Sequence, residues 1–245
     1  MKQYGLIGFP LTHSFSKRFF TEKFAAENIA AKYDLFELDS ISGFTGLLNT
    51  YELSGLNVTA PYKQQVIEYL DDLDETAAEI GAVNVIKFIR KNGGLRLVGY
   101  NSDAIGFERS LAPHLKDYHK KALILGSGGA SKAVFYVLKK LGLETLSVSR
   151  TKQSGNLTYE MLDKNVLDDY KLIVNSSPVG TFPHVDECPQ IPYALLDSEH
   201  FLFDLVYNPA ETLFLKKGKE YGAKGINGME MLVGQAKAAW EIWNF

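Results

Sequence analysis

The sequence predicts an α/β fold of two domains, each built around a mostly parallel sheet, with a cleft between them. Short apolar runs alternate with segments of helical periodicity along most of the chain. A glycine-rich string at 126–131 stands between one apolar run and a helical segment. Polar strings at 57–63 and 99–103 follow two other runs, where open α/β sheets place their ligand contacts.

In the first part of the chain, the expected elements alternate in type, as in an α/β domain. They are a strand at 4–9, a helix at 16–28, a strand at 32–38, a helix at 43–49, a strand at 54–58, helical segments at 64–70 and 75–80, and strands at 83–89 and 95–98. The first helix follows from the helical spacing of Phe19, Phe20 and Phe24. Asn92-Gly93-Gly94 predicts the turn between the last two strands.

The second part predicts βαβ units with right-handed crossovers. Its elements are a helix at 104–111, a strand at 122–125, a helix at 131–141, strands at 146–149, 172–175 and 201–206, and a final helix at 230–243, with a short loop at 151–156. We expect residues 1–103 to form one domain, with 230–245 packing back on it. We expect residues 104–229 to form the other.

The bulk composition excludes several classes of function. With 245 residues and 46% hydrophobic content, the chain is long enough for a substantial core. A net charge of −3 gives no polybasic footprint, so we expect no nucleic-acid partner. Cys188 is the single cysteine, so no internal disulfide forms. No signal peptide and no apolar run of roughly 20 residues is present, which predicts a cytoplasmic protein without a membrane partner.

The glycine-rich string predicts a dinucleotide site. Gly126 permits a tight turn after the strand, while Gly128 and Gly129 let the backbone approach a pyrophosphate. Ser127 and Ala130 complete the loop, and the following helix offers unpaired N–H groups and the positive end of its dipole. Ser131 and Ala133 follow where the usual fingerprint has its third glycine. A purely structural turn is the alternative that glycines alone leave open.

The end of the next strand predicts which nicotinamide cofactor binds. NAD-binding folds carry an acidic residue there, for the ribose 2′-hydroxyl. This chain has Ser149-Arg150-Thr151 instead, and a guanidinium suits a 2′-phosphate by charge and geometry. The sequence therefore favours NADP, against the alternative of an ordinary exposed arginine after a strand.

Lys63 and Asp103 are the candidate catalytic pair. Interconversion of a carbonyl and an alcohol by a nicotinamide needs one proton carrier, and a lysine at a strand end can serve as the acid or base. Asp103 follows another strand and can orient both the substrate and Lys63. Taken singly, each is more readily explained as a solvated surface residue.

With these strings in order, nearly the whole chain resembles the shikimate dehydrogenase family. The matching segments are Pro10–Ser16, Asn57–Lys63, Gly81–Asn84, Gly99–Asp103, Gly126–Ala133, Ser149–Thr151, Asn175–Gly180, Asp204–Pro209 and Gly228-Met229 with Gln235. The chain departs from the family with Val85, Ser102 and Ser149, where threonine, threonine and asparagine are common.

The resemblance implies NADP-linked reduction of 3-dehydroshikimate to shikimate by Lys63 and Asp103. It implies an N-terminal substrate domain, a Rossmann-like NADP-binding domain and no metal. The residues implied in substrate binding are Ser14, Ser16, Thr59, Asn84, Ser102, Tyr207 and Gln235; those implied in cofactor binding are Gly126, Ser127, Gly128, Gly129, Ala130, Ser149, Arg150, Thr151, Gly228 and Met229. A substrate rich in hydroxyls needs such neutral donors and acceptors.

Other interpretations remain open at this point. Ser14 and Ser16 also fit an N-cap of the first helix, and Gln235 fits an exposed helix position. The whole chain also fits a quinate/shikimate dehydrogenase that uses NAD, or a non-catalytic paralogue that binds a nucleotide or metabolite. The serine pair disfavours a folate dehydrogenase. We expect a monomer or a homodimer with a small-molecule substrate.

Overall fold

The structure is a computed structural model that describes residues 1–11, 14–152 and 155–245. Thr12 and His13, in the serine motif, and Gln153 and Ser154, in the predicted loop at 151–156, lie outside the described residues. The described chain divides into two compact units. Unit 1 is Met1–Ser102 with Gln235–Phe245, and unit 2 is Asp103–Gly234. Each unit is built on its own sheet, which confirms the predicted α/β class.

Unit 1 is built on a mixed six-stranded sheet in the order β2-β1-β3-β5-β6-β4. Its elements are β1 (Lys2–Gly8), α1 (Phe15–Ala26), β2 (Ala31–Glu37), α2 (Gly43–Thr50), β3 (Gly55–Val58), β4 (Asp72–Leu73), α3 (Glu75–Ile80), β5 (Val85–Lys91) and β6 (Gly94–Tyr100). Strand β1 runs parallel to β2 and β3, whereas β5 is antiparallel to β3 and β6. Asn92 and Gly93 both have positive φ in the turn between β5 and β6, as a two-residue hairpin of the predicted kind requires.

The last helix, α8 (Met229–Asn244), contributes aromatic side chains to the core of unit 1. Trp243 packs against Tyr4 of β1 with 4.8 Å between ring centroids, and its indole N–H donates to the Ile86 carbonyl at 3.1 Å. A Cβ at Gly55 would lie 2.5 Å from the Trp243 ring, so only glycine leaves room for it on β3. The end of the chain is therefore part of the unit formed by its beginning.

Unit 2 is built on a six-stranded sheet in which every pairing is parallel. Its elements are α4 (Ser102–Leu111), β7 (Lys121–Leu125), α5 (Gly129–Lys140), β8 (Glu144–Ser149), β9 (Asn156–Thr158), α6 (Lys164–Asp169), β10 (Leu172–Asn175), β11 (Phe201–Asp204), α7 (Leu213–Glu220) and β12 (Lys224–Ile226), followed by the start of α8. The order β12-β11-β10-β7-β8-β9 is 6-5-4-1-2-3 within the unit. This is the doubly wound order of dinucleotide-binding sheets.

The structure differs from the predicted elements at several places. The segment predicted as a helix at 64–70 is a 3-10 helix at Gln65–Tyr69. The strand predicted at 201–206 ends at Asp204, because the Asp204 carboxylate accepts the Val206 N–H and turns the chain. Elements β4, β9, α6, α7 and β12 were not predicted from the sequence. Short length explains the missed strands, since two or three residues show no periodicity.

Candidate active site

The hairpin strands of unit 1 bring Asn84 and Ser102 together. Asn84 directly precedes β5 and Ser102 follows β6, and the antiparallel register pairs Val85 with Tyr100. The Ser102 N–H donates to Asn84 Oδ1 at 2.7 Å, and Asn84 Nδ2 donates to Ser102 Oγ at 3.1 Å. Both side chains are buried, so these bonds fix the amide with its oxygen at the Ser102 N–H and its nitrogen at the Ser102 hydroxyl.

Gln235, on α8, completes this cluster. Its side-chain oxygen accepts a hydrogen bond from Ser102 Oγ at 3.4 Å, and the residue is only 8% exposed. The alternative of Gln235 as an exposed helix residue is therefore wrong. Three residues predicted to bind substrate thus lie together in unit 1, although they are up to 151 positions apart in the sequence.

Tyr33 and Asn57 extend the cluster, and neither was predicted to belong to the site. The Tyr33 hydroxyl donates to Asn57 Oδ1 at 2.7 Å, and Asn57 Nδ2 donates to the Asn84 carbonyl at 3.2 Å. Both residues are less than 5% exposed. The available signal was a single polar residue, Asn57, inside the otherwise apolar buried strand β3.

The serine pair lies at the start of α1. Ser14 is the N-cap residue, and its hydroxyl accepts the Lys17 N–H at 3.2 Å, so the capping bond is present. Ser16 lies within the first turn of α1. Burial raises the pKa of Tyr33 well above its usual value, and the Ser16 side chain opposes this rise only in part. Tyr33 therefore stays a protonated donor.

The segment carrying Thr59 and Lys63 is anchored on both sides. Tyr62 is buried and its hydroxyl donates to the Leu38 carbonyl, while the Tyr62 N–H donates to the Thr59 carbonyl at 3.0 Å. The Lys63 carbonyl accepts the Val83 N–H at 2.7 Å. Thr59 and Lys63 are both half-buried. These bonds hold the backbone of the proposed proton carrier while leaving its side chain partly accessible.

Asp103 lies in the first turn of α4, directly after the buried Ser102. A carboxylate at this position interacts favourably with the positive end of the helix dipole. Asp103 is half-buried. The chain thus places an acidic side chain next to a member of the neutral cluster.

The glycine-rich loop joins β7 to α5 in unit 2. Gly126 has φ +113°, a backbone conformation that favours glycine, and its N–H donates to the Val148 carbonyl at 2.9 Å. A Cβ on Gly128 or Gly129 would meet nothing within 4 Å, so packing does not require glycine there. Ser127 is exposed and Ala130 half-buried beside the first turn of the twelve-residue helix. The loop therefore leaves open backbone at a helix N-terminus, as a bound phosphate needs.

Ser149 is the last residue of β8, and Arg150 and Thr151 follow it, at the strand end predicted for them. Ser149 Oγ donates to the Thr151 carbonyl at 2.8 Å and accepts from Asn156 Nδ2 at 2.6 Å, so its hydroxyl shapes the turn. Arg150 and Thr151 are exposed, and the positive charge of Arg150 acts on Tyr159. The burial of Tyr159 raises the pKa of its phenol, and Arg150 opposes that rise.

The remaining predicted residues follow β11 and β12. Tyr207 is 38% exposed. The Gly228 N–H donates to the Val206 carbonyl at 3.1 Å, and a Cβ there would lie 2.2 Å from the Leu205 carbonyl oxygen, so close packing requires this glycine. Met229 is partly exposed at the start of α8. Its N–H donates to Asn227 Oδ1 at 3.1 Å.

Asp204 is a fully buried carboxylate at the end of β11 that sequence analysis left without a role. It accepts hydrogen bonds from Thr212 Oγ1 at 2.6 Å, Asn175 Nδ2 at 2.9 Å and the Val206 N–H at 3.0 Å. Burial raises its pKa to about 6, although these three donors pull the value down. Asp204 thereby links the end of β10 to the segment that follows β11.

Two features of the described residues bear on other classes of function. Within those residues, no helix has both the length and the hydropathy needed to cross a bilayer. The same part of the chain contains no group of three or more histidine, cysteine or acidic side chains placed to hold a metal ion.

The parallel sheet of unit 2, with its strand order and glycine turn, places the chain among α/β proteins with a dinucleotide-binding fold. Residues 6–86 match the family model described as the shikimate dehydrogenase substrate binding domain. A shikimate dehydrogenase (NADP(+)) from Methanococcus maripaludis is 37% identical over 99% of this chain and 91% of its own length. The chain therefore belongs to the shikimate dehydrogenase family.

Solved structures agree with this membership. The shikimate dehydrogenase of Aquifex aeolicus is 36% identical, with a TM-score of 0.86 over 100% of this chain and 92% of its own. The Thermus thermophilus enzyme, solved in complex with NADP(H) and shikimate, is 29% identical, with a TM-score of 0.85 over 100% of this chain and 94% of its own.

Proposed function

We propose that this chain catalyses the reversible NADP-linked reduction of 3-dehydroshikimate to shikimate, a step in the biosynthesis of aromatic amino acids and chorismate. The observation that carries the proposal is the buried neutral cluster of Asn84, Ser102 and Gln235, followed directly in the chain by Asp103. It is supported by membership of a family whose relatives are named shikimate dehydrogenase (NADP(+)).

The neutral cluster suits a substrate that carries several hydroxyl groups. Amides and hydroxyls both donate and accept, and a buried site built from them disfavours analogues that leave its groups unpaired. Each of these three side chains is at least 90% buried, so an unpaired group there is costly. The residues that we propose to hold the substrate are Ser14, Ser16, Thr59, Asn84, Ser102, Tyr207 and Gln235.

Lys63 carries the proton in this proposal. In the direction of reduction, its ammonium group donates a proton to the oxygen of the carbonyl that becomes the alcohol, and in oxidation its amine accepts that proton. Asp103 orients Lys63 and the reacting hydroxyl. The bonds that Tyr62 and Val83 make to the neighbouring backbone fix the point from which the Lys63 side chain extends.

The residues of unit 2 fit a dinucleotide. The space beside Gly128 and Gly129 is open, and any larger side chain there would narrow it. The N-terminus of α5 beside this space favours a phosphate. Exposed Arg150 offers a cation for a 2′-phosphate. When bound, the nicotinamide supplies or takes the hydride. The residues that we propose to hold NADP are Gly126, Ser127, Gly128, Gly129, Ala130, Ser149, Arg150, Thr151, Gly228 and Met229.

The cellular setting is also part of the proposal. Cys188 is reduced and buried, in keeping with a reducing compartment. We expect the protein in the cytoplasm, as a monomer or a homodimer, with a small-molecule substrate and without a nucleic-acid or membrane partner.

The test is a matrix of rates measured by nicotinamide absorbance, with shikimate or quinate as substrate and NADP or NAD as cofactor. We expect the highest kcat/KM for shikimate with NADP. A higher value for quinate with NAD would instead assign the chain to the quinate-oxidising branch. Binding of NADP without turnover of either substrate would identify a non-catalytic paralogue.

A further inference from the structure

We propose that Tyr33 is a positioning residue for substrate binding, because its hydroxyl fixes the Asn57 amide that in turn holds Asn84. Tyr33 lies on β2, at the edge of the unit 1 sheet, and Asn84 lies three strands further across that sheet, directly before β5. The inference rests on the proposed function, in which Asn84 contacts the substrate. It adds a residue that acts on the site through two others.

The Tyr33 ring is rigidly held. It is 3% exposed and stacks on Phe20 of α1, with ring centroids 4.8 Å apart and planes 13° apart. The ring belongs to the same apolar cluster as Tyr4, Phe24 and Trp243. The position of its hydroxyl is therefore set by packing, which does not depend on that hydroxyl.

The hydroxyl decides the orientation of the Asn57 amide. An amide has one oxygen that accepts and one nitrogen that donates, so the two ends are not interchangeable. Tyr33 donates to Oδ1 at 2.7 Å, and this leaves Nδ2 directed at the Asn84 carbonyl, 3.2 Å away. Because Tyr33 stays protonated, this donor persists at every working pH.

The Asn84 carbonyl receives two donors at once, the Val58 N–H at 2.9 Å and Asn57 Nδ2 at 3.2 Å. The Asn84 side chain is held separately, by the N–H and hydroxyl of Ser102. Because both its backbone and its amide are fixed, the remaining hydrogen-bonding positions of the Asn84 side chain point in one direction. Loss of the Tyr33 hydroxyl releases the Asn57 end of this arrangement.

The experiment compares wild type with Tyr33→Phe, which removes one oxygen and keeps the packed ring. We expect the KM for shikimate to rise about 3- to 10-fold, the equivalent of one neutral hydrogen bond. We expect kcat and the KM for NADP to stay within about twofold, because ground-state and transition-state binding are lost equally. Tyr4→Phe is the matched control, a buried tyrosine of the same apolar cluster, and should leave both KM values unchanged.

A double-mutant cycle with Asn84→Ala separates positioning from a general loss of stability. If Tyr33 acts through Asn84, Tyr33→Phe changes the shikimate KM much less in the Asn84→Ala background. A lower Tm for Tyr33→Phe with an unchanged KM would overturn the inference, as would effects that add fully. A wild type that neither binds nor oxidises shikimate would overturn the proposed function itself, and the inference with it.

Discussion

The buried carboxyl of Asp204 makes folding stability depend on pH in a way that one substitution removes. Its pKa stands at about 6 in the folded chain against an ordinary 3.8, because burial disfavours the charged form. The neutral carboxyl fits its buried surroundings. Its contribution to the free energy of unfolding is therefore fully present below pH 3.8 and is lost as the pH rises through 6. The full difference corresponds to about 3 kcal/mol of unfolding free energy.

The assay is chemical denaturation of wild type and Asp204→Asn at several pH values. Because the loss is steepest between the two pKa values and levels off only above the higher one, about 1.4 kcal/mol of it falls between about pH 5 and about pH 7.5. The wild type should lose this amount relative to the variant as the pH rises across that range. Comparing the two proteins at each pH cancels the titration of every other group that they share.

A second substitution tests the direction in which hydrogen bonding shifts the pKa of Asp204. Thr212→Val removes the hydroxyl that donates to Asp204 Oδ2 at 2.6 Å, a bond that lowers the pKa. The variant should therefore lose more unfolding free energy than wild type over the upper part of the same range. Parallel pH profiles for wild type and Asp204→Asn would refute the reasoning, because Asp204 would then titrate alike in the folded and unfolded chain.

The remaining predictions concern the cofactor and the serine pair. Arg150→Ala should raise the KM for NADP far more than that for NAD, with a smaller difference at high salt, and equal losses would show that Arg150 contacts a phosphate common to both. Ser14→Ala should lower the unfolding free energy by about 0.5–2 kcal/mol, because the cap on the Lys17 N–H is lost. Ser16→Ala should raise the shikimate KM with little change in Tm; a fall in Tm at constant KM would make Ser16 structural.

Much of the architecture could be predicted because periodicity and turn residues are local properties. The turn at Asn92-Gly93 and the end of α3 at Gly81 both need positive φ, a conformation that glycine and asparagine adopt more readily than other residues. The glycine loop was identified because its strand and helix flank it in sequence. Helices α6 and α7 were missed although Asp163 and Thr212 cap them, since caps without a long apolar stripe are weak signals.

The polar network of unit 1 could not be predicted from local signals. Tyr33, Asn57 and Asn84 meet only because β2, β1, β3 and β5 are neighbours in that order, and no local pattern specifies which strands lie side by side. Gln235 was ambiguous for the same reason, because its burial depends on the return of α8 to unit 1. The elevated pKa of Asp204 likewise arises from burial that the sequence does not display.

The most direct test of the central claim is the rate of NADP-linked shikimate oxidation by Lys63→Ala and Lys63→Arg beside wild type. Arginine keeps the positive charge but does not become deprotonated at ordinary pH, so it cannot donate or accept the proton in the reaction. If Lys63 carries the proton, both variants should lose about 10²- to 10⁴-fold in kcat while keeping Tm and NADP affinity. Turnover by Lys63→Ala within a few-fold of wild type would contradict the account, and retained activity in Lys63→Arg alone would reduce the role of Lys63 to its charge.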